Sequence, residues 1–341
     1  MSVFKPAQPV YLVGPEICLP QQIISNADLL AFVPGASFRP EWITQRTGVA
    51  ERRWASDDEA CSDLATGAAS RLMAKHALAA GDVAQVVLAT ISGDYPSPPT
   101  APLVQHRLGL PAAGAFDLGA ACAGFVSALH VCAGLCMASG ENHLLIAADI
   151  RSKFIDRSSL AVSSLFGDGA AAALLTTARQ QAAYRLVASE LRADGALGDA
   201  VVLRAGGSRL PFSCNREPQN LTIQIASAPA LFIQAVDAMV QGGLSLLAKT
   251  GHAVKDLAWL VPHQANLHMM RDVGRKLGFA AEQVIEVIQS TGNTSGASVG
   301  LALHALTQSG RPRHGDLVLL VSAGGGGLAA CALLEYVGAA A

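Results

Sequence analysis

Apolar and polar positions along the chain switch between two periods, and the switches predict an α/β protein. Continuous apolar runs of strand length stand at Val10–Gly14, Gln85–Ile91, Ala115–Leu118, His143–Ile150 and Ala170–Thr176. Between them, apolar residues three and four apart (Ala60, Leu64, Ala65, Ala68, Leu72) predict an amphipathic helix over Asp58–His76, and Cys122–Ser139 predicts another. Asn26 predicts the cap of a short helix through Phe32. Pro96, Pro98, Pro99 and Pro102 break the chain before a helix ending near Leu108. Further on, helices are predicted at Ala228–Leu247, Ala265–Leu277, Ala281–Ile288 and Ser295–Ser309, and strands at Leu257–Val261, Leu317–Ser322 and Leu328–Tyr336.

This order of elements repeats at about half the chain length. Each half has a long helix, an apolar strand, a turn of small residues opening a helix, a second apolar strand, then a Gly-rich turn into a last strand. The repeat predicts an internal duplication with a mostly parallel sheet in each half and helices between and outside the sheets. The expected halves are residues 1–177 and 221–341. Residues 178–220 carry Gly206-Gly207 and weak strand signals, and are expected to be an irregular linker.

Composition narrows the class. Of 341 residues, 51 % are apolar and 15 % charged, which is enough for a large core and excludes a disordered chain. A net charge of −2 without a long basic run excludes a nucleic-acid surface. Seven cysteines, an odd number without a CxxC pair, point to reduced thiols and a cytoplasmic protein. The opening residues predict no secretory leader. The apolar Cys122–Ser139 stretch carries His130 and is expected to be a buried helix, not a membrane span.

Candidate chemistry centres on three residues. Cys122 follows a predicted strand and opens a helix among small residues. Unpaired N–H groups and the positive end of the helix dipole favour its thiolate, which is the nucleophile; the alternative is a small buried hydrophobe, the reading taken for Cys132 and Cys136. His263 ends a predicted strand before a helix, where ligands bind in α/β sheets. Asn293 lies in a turn before a helix and is either a cap or a polar site residue. The duplication places Cys122 and Asn293 at equivalent positions, so the three polar groups are expected to converge near a pseudo-two-fold axis. The run Gly324–Gly327 after an apolar strand brings backbone N–H groups near a substrate oxygen, or is simply a tight turn. It is no P-loop, no dinucleotide fingerprint opens the chain, and His and Cys show no zinc spacing.

These motifs together resemble those of β-ketoacyl-acyl-carrier-protein synthase III, a member of the thiolase-like condensing enzymes. The matching stretches are Asp117-Leu-Gly-Ala-Ala-Cys122-Ala-Gly-Phe125, Val-Pro-His263-Gln-Ala-Asn266, Gly-Asn293-Thr-Ser, Glu41-Trp42-Ile-Thr-Gln-Arg46-Thr-Gly48 and Phe166-Gly-Asp-Gly-Ala170. The resemblance runs from about Val10 to Tyr336. It implies a five-layered αβαβα fold with internal duplication, a homodimer, and no metal or redox cofactor. It further implies that Cys122 takes an acyl group from acyl-CoA or acyl-carrier protein. His263 and Asn293 hold the carbonyl of malonyl-carrier protein while it decarboxylates, and the N–H groups of Cys122 and Gly325 form an oxyanion hole. Trp42 and Arg46 match positions that contact the coenzyme nucleotide, and Asn266 belongs to the His263 motif.

The departures from the family pattern also generate expectations. Leu160 stands where a coenzyme-binding Arg is common, with Arg157 nearby. His268 replaces an Arg of the carrier-protein surface, leaving Arg271, Arg275 and Lys276 as the basic docking face. Ser97 and Ala323 stand where large aromatic residues close the acyl pocket. They predict a preference for medium or long acyl primers in fatty acid or polyketide-type biosynthesis; the alternative is that neighbouring side chains such as Tyr95 or Phe232 fill the vacated space. The alternatives are a synthase-III-like enzyme using a β-ketoacyl thioester, hydroxyl or amine as acceptor, and a non-catalytic partner subunit. Retention of both His263 and Asn293 argues against the hydroxyl or amine acceptor, and Cys122 against the non-catalytic subunit.

Overall fold

The computed structural model describes residues 3–33 and 38–338. Nine strands form one sheet: β1 (Tyr11–Cys18), β2 (Gln85–Ala89), β3 (Gly114–Leu118), β4 (His143–Asp149), β5 (Gly169–Thr176), β6 (Tyr184–Ala193), β7 (Leu257–Pro262), β8 (Leu317–Gly324) and β9 (Leu328–Tyr336). Their order is β7-β8-β9-β6-β1-β5-β4-β2-β3. The two halves meet at β1 and β6, where only Tyr11 and Leu12 pair with Arg185 and Tyr184. The helices that matter for the site are α1 (Pro40–Thr47), α2 (Cys61–Lys75), α3 (Ala101–Arg107), α4 (Gly124–Ser139), α5 (Ala228–Thr250), α6 (Leu267–Leu277) and α7 (Ser298–Gln308).

The continuous apolar runs arise because helices cover both faces of each half-sheet. All seven residues of β4 are buried. Alternate residues face opposite ways: Val87, Leu145, Ala171 and Ala173 pack with α4 and α7, while Val86, Leu144, Ile146 and Ala172 pack with α2 and α3. In the second half, Val318, Leu320 and Ala332 face the same central helices, while Leu319, Val321 and Leu333 face α5 and α6. The result is five layers, with α4 and α7 in the middle. Small residues set the layer spacing: a Cβ at Gly300 of α7 would lie 2.5 Å from Ala171 Cβ.

The duplication is visible strand by strand. β2 pairs in parallel with β3 and β4, and β4 then runs antiparallel to β5, as does β5 to β1. In the second half β7 pairs in parallel with β8, and β8, β9 and β6 follow antiparallel. Each half-sheet is therefore mixed, not mostly parallel. The expected linker contains β6, the counterpart of β1. Charged residues hide its strand pattern, and the fold pairs them: Arg185 with Glu335, and Glu190 with both Arg192 and Lys249 at 2.9 Å. The helix expected at Ala281–Ile288 is a single turn, Ala281–Gln283, followed by extended chain. Strand-like partners take its backbone groups: Ile285 N–H donates to Leu260 O (2.9 Å), and Val287 N–H to Gln264 Oε1 (2.9 Å).

Candidate active site

Cys122 lies in a single helical turn, Ala121–Ala123, between β3 and α4. Ala121 is at φ +44°, a left-handed conformation costly for an L residue. The turn Ser295–Ala297 before α7 repeats this, with Ser295 at φ +51°. The two turns touch, since a Cβ on Gly124 would lie 3.2 Å from Gly296 Cα. Aligned on their left-handed residues, Cys122 corresponds to Gly296 and Asn293 to Gly119. The turns are equivalent as expected; Cys122 and Asn293 themselves are not.

Cys122, His263 and Asn293 line one cavity of about 570 Å³. His263 is 2 % exposed, and its Nδ1 lies 2.6 Å from the hydroxyl of Ser298, the first residue of α7. Burial lowers its pKa to about 3, so the ring is neutral at physiological pH. With Nδ1 engaged, Nε2 is the nitrogen left for a ligand. Asn293 is fixed through the same turn: its Oδ1 accepts from Ser295 N–H at 2.9 Å. The amide nitrogen is then the group it has to offer.

Burial raises the Cys122 pKa above the ordinary value of 9.0. The Ser295 hydroxyl, 3.8 Å from Sγ, opposes this, as do the charge of Arg151 and the N–H of Gly325. Desolvation thus outweighs the stabilisation expected from the helix end, and the resting site holds a thiol. The glycine run closes over it. A Cβ at Gly324 would fall 3.0 Å from Cys122 N and 3.2 Å from Ala123 N, so a side chain there would fill the space in front of these amides. Ser322 Oγ donates to Cys122 O at 2.7 Å and ties β8 to the turn.

Among the other expected site residues, Asn266, Phe232 and Ala323 line the cavity. Asn266 caps α6, accepting from His268 N–H at 2.9 Å, and its Nδ2 donates to Arg46 O at 3.2 Å. Trp42 stacks on Phe38 (4.6 Å between ring centroids), and the Arg46 guanidinium lies 4.8 Å from the Trp42 ring. Neither lines the cavity, but Trp42 packs in a cluster with Leu165, Val201 and Ile225, which do. Arg157 is exposed and lies over Trp54 (5.1 Å) in a different concavity, with Gln21, Asp57 and Glu59. Ser97 is exposed on the Pro-rich loop and does not line the cavity, because the loop turns outward after β2. The three docking residues are each paired: Arg271 with Glu286 (2.9 Å), Arg275 with Asp272, and Lys276 with Asp237 (3.1 Å). They form a mixed-charge surface, not a bare basic face.

Two residues escaped the sequence reading. Ser298, five places after Asn293, orients His263. Arg151 lies two residues past the end of β4, is 6 % exposed, and sits with its guanidinium carbon 5.8 Å from the Phe166 ring, itself a wall of the cavity. A charge immediately after the strand predicted at His143–Ile150 was the available signal, since ligands gather at such strand ends.

The chain matches the family described as 3-Oxoacyl-[acyl-carrier-protein (ACP)] synthase III over residues 116–195. The C-terminal part of that family matches over residues 247–336. It is 36 % identical over 318 residues to a beta-ketoacyl-[acyl-carrier-protein] synthase III of Oleidesulfovibrio alaskensis, covering 93 % of this chain and 96 % of that one. It is also 36 % identical over 298 residues to a 3-oxopimeloyl-[acyl-carrier-protein] synthase of Rhodothermus marinus, covering 87 % and 86 %. The crystal structure of 3-oxoacyl-(acyl carrier protein) synthase III from Pseudomonas aeruginosa superposes with a TM-score of 0.88 at 33 % identity, covering 97 % of this chain and 99 % of that one.

Proposed function

The chain belongs to the 3-oxoacyl-[acyl-carrier-protein] synthase III family, and on that premise we propose the following division of labour for its decarboxylating condensation of an acyl group with malonyl-acyl-carrier protein. The observation that carries it is the convergence of Cys122, His263 and Asn293 on one cavity beside the glycine run. Cys122 attacks the thioester of the acyl donor, the donor's thiol leaves with the proton, and the acyl group stays on sulfur. The N–H groups of Cys122 and Gly325 receive the oxyanion of this step. Neutral His263 donates from Nε2, and Asn293 from Nδ2, to the carbonyl of malonyl thioester. As carbon dioxide leaves, charge collects on that oxygen, and donors already in place stabilise it without reorganisation. The carbanion attacks acyl-Cys122 and releases the β-ketoacyl thioester.

Acyl-CoA and acyl-carrier protein are the substrates, and no cofactor enters these steps. Asn266 lines the cavity and bonds to Arg46 O, and with Trp42 beside them these residues are assigned to the coenzyme or carrier arm. The exposed pairs of Arg271, Arg275 and Lys276 are individually weak, so acidic groups of a carrier protein can compete for them. A cytoplasmic location agrees with seven free thiols. A homodimer closes on β3, one of the two outer strands of the sheet, on and beside which Phe116, Ile91 and Tyr95 are exposed. Ser97 shares that loop, so it acts on an acyl site across this interface or not at all.

The length of the primer has two readings. Ala323 and the cavity volume favour a medium or long alkyl chain. The 3-oxopimeloyl relative favours a dicarboxylic primer, because a seven-carbon 3-oxo diacid arises when a five-carbon dicarboxylic acyl group gains two carbons from malonyl thioester. Mass spectrometry of intact protein after incubation with acyl-CoA, then with malonyl-acyl-carrier protein, tests the common step. One acyl group on Cys122, discharged as β-ketoacyl-carrier protein, is expected. Label on Cys61 or Cys214 with none on Cys122 defeats the mechanism.

A further inference from the structure

Behind Phe166 of the cavity wall stands a charged residue that the condensation does not use. Arg151 is buried, yet its guanidinium has neither a carboxylate partner nor a side-chain hydrogen bond among the described residues. Only its main-chain N–H is engaged, donating to Asp168 Oδ1 at 2.6 Å. The two buried acids of the same segment are already satisfied. Asp168 also accepts from Ala55 N–H, Ser152 N–H and the Ser152 hydroxyl. Asp149 accepts from Ile91 and Gly296 N–H and from the Thr90 and Ser92 hydroxyls. Arg192, which does line the cavity, is held by Glu190 at 2.9 Å.

A buried cation without a partner is costly, and a guanidinium is shaped for a carboxylate. Its charge acts on Cys122, and it stands against Phe166 without lining the cavity itself, so a carboxylate extending from the acyl site past the Phe166 ring would pair with it. We propose that Arg151 is the specificity-determining residue for the primer and binds the terminal carboxylate of a short dicarboxylic acyl group, of the five-carbon glutaryl class. The assignment rests on the condensation reading above and decides between its two primers. An alkyl chain in this space would leave the guanidinium buried and unpaired, so the site rejects neutral primers as well as attracting the diacid.

The covalent steps balance as before. The bond from the primer carbonyl carbon to coenzyme sulfur breaks, that to Cys122 Sγ forms, and the thiol proton leaves with coenzyme A. Malonyl thioester then loses carbon dioxide, its carbanion bonds to the same carbonyl carbon, and Cys122 departs as thiolate and takes a proton from solvent. The distal carboxylate is unchanged and stays on Arg151.

The test compares glutaryl-CoA with hexanoyl-CoA, in which a methyl group replaces the carboxylate, by the rate of Cys122 acylation and then discharge by malonyl-acyl-carrier protein. The wild-type chain is expected to take glutaryl about 100-fold faster. Arg151→Leu is expected to lose glutaryl transfer by about 100-fold and to accept hexanoyl faster than wild type, while Arg151→Lys keeps part of the glutaryl preference. Should Arg151→Leu fail to fold, the wild-type ratio and Arg151→Lys still decide. Equal rates for both donors in wild type, or an equal fall for both in Arg151→Leu, overturn the assignment while leaving condensation standing. Failure of every donor to label Cys122 overturns the condensation reading and this inference together.

Discussion

In the first half of the molecule the turn before the central helix presents a thiol. In the second half the equivalent position is Gly296, and the polar groups come from either side: Asn293, earlier in its own turn, and His263, from the end of β7. The difference follows from where the halves touch. A Cβ on Gly296 would lie 3.0 Å from Ala121 O and 3.2 Å from Asp149 Oδ2. Gly296 N–H also donates to Asp149 (3.0 Å). A side chain at Gly296 would press on the backbone of the first turn and on Asp149, so the second turn carries none at the position where the first carries Cys122. Duplication thus supplies a symmetric backbone, and close packing at the axis enforces asymmetric chemistry.

The proposed mechanism places acyl storage at the first turn and carbonyl stabilisation at the second, and substitutions separate the two. Cys122→Ala is expected to lower condensation by at least about 10⁴-fold, since no acyl-enzyme forms. His263→Ala and Asn293→Ala are each expected to slow decarboxylation and condensation by about 10²–10³-fold, the cost of one oxyanion donor. Cys122 acylation in both variants should fall far less. Single-turnover acylation measured beside malonyl decarboxylation distinguishes the steps. If either variant blocks acylation but leaves decarboxylation intact, the division between the turns is wrong.

Much of this was legible because the site is built at element boundaries. Apolar runs flanked by small residues located β2, β4, β5, β7, β8 and β9, and the strand ends carried Cys122 and His263. What escaped depended on contacts between distant segments. Arg185, Glu190 and Arg192 read as polar linker until Glu335 and Lys249 pair with them. The stretch Val284–Val287 read as helix until Gln264 and Leu260 claimed its backbone. Arg151 needed knowledge of absent partners, which no sequence pattern reports. Ser97 failed differently: a match at one position says nothing about which surface its loop faces.

The halves also differ in how burial acts on their titratable groups. It lowers the His263 pKa to about 3 and raises that of Cys122 above 9.0. The proposed second-half chemistry, which needs a neutral ring, is therefore expected to show no histidine titration between about pH 5 and 8. First-half acylation, which needs a thiolate, should rise with pH through the neutral range and beyond 9. Stability follows the histidine in the opposite sense to a salt-bridged one. Between 6.5 and about 3 the unfolded chain binds a proton that the folded His263 does not, so its contribution falls as pH falls through that window. A decarboxylation rate that drops with an apparent pKa near 6.5 would show His263 to be less buried from solvent than its environment implies.

The smallest effects test the shared backbone itself. Ala121 and Ser295 both hold φ near +50°, where a side chain costs about 1–2 kcal/mol. Glycine removes that cost but gives the unfolded chain about 0.4–1 kcal/mol of extra entropy. Ala121→Gly and Ser295→Gly should therefore each stabilise the strained backbone by up to about 1 kcal/mol, read as a shift in the urea midpoint. Their chemistry should differ. Ala121→Gly removes only a methyl group and is expected to leave the acylation rate within a few-fold of wild type. Ser295→Gly also removes the hydroxyl 3.8 Å from Cys122 Sγ, which favours the thiolate, so acylation should slow at neutral pH and recover as pH rises. If both variants slow acylation equally and pH restores neither, the left-handed residue positions the thiol through its stiffness, and the hydroxyl of the second turn has no part in activating it.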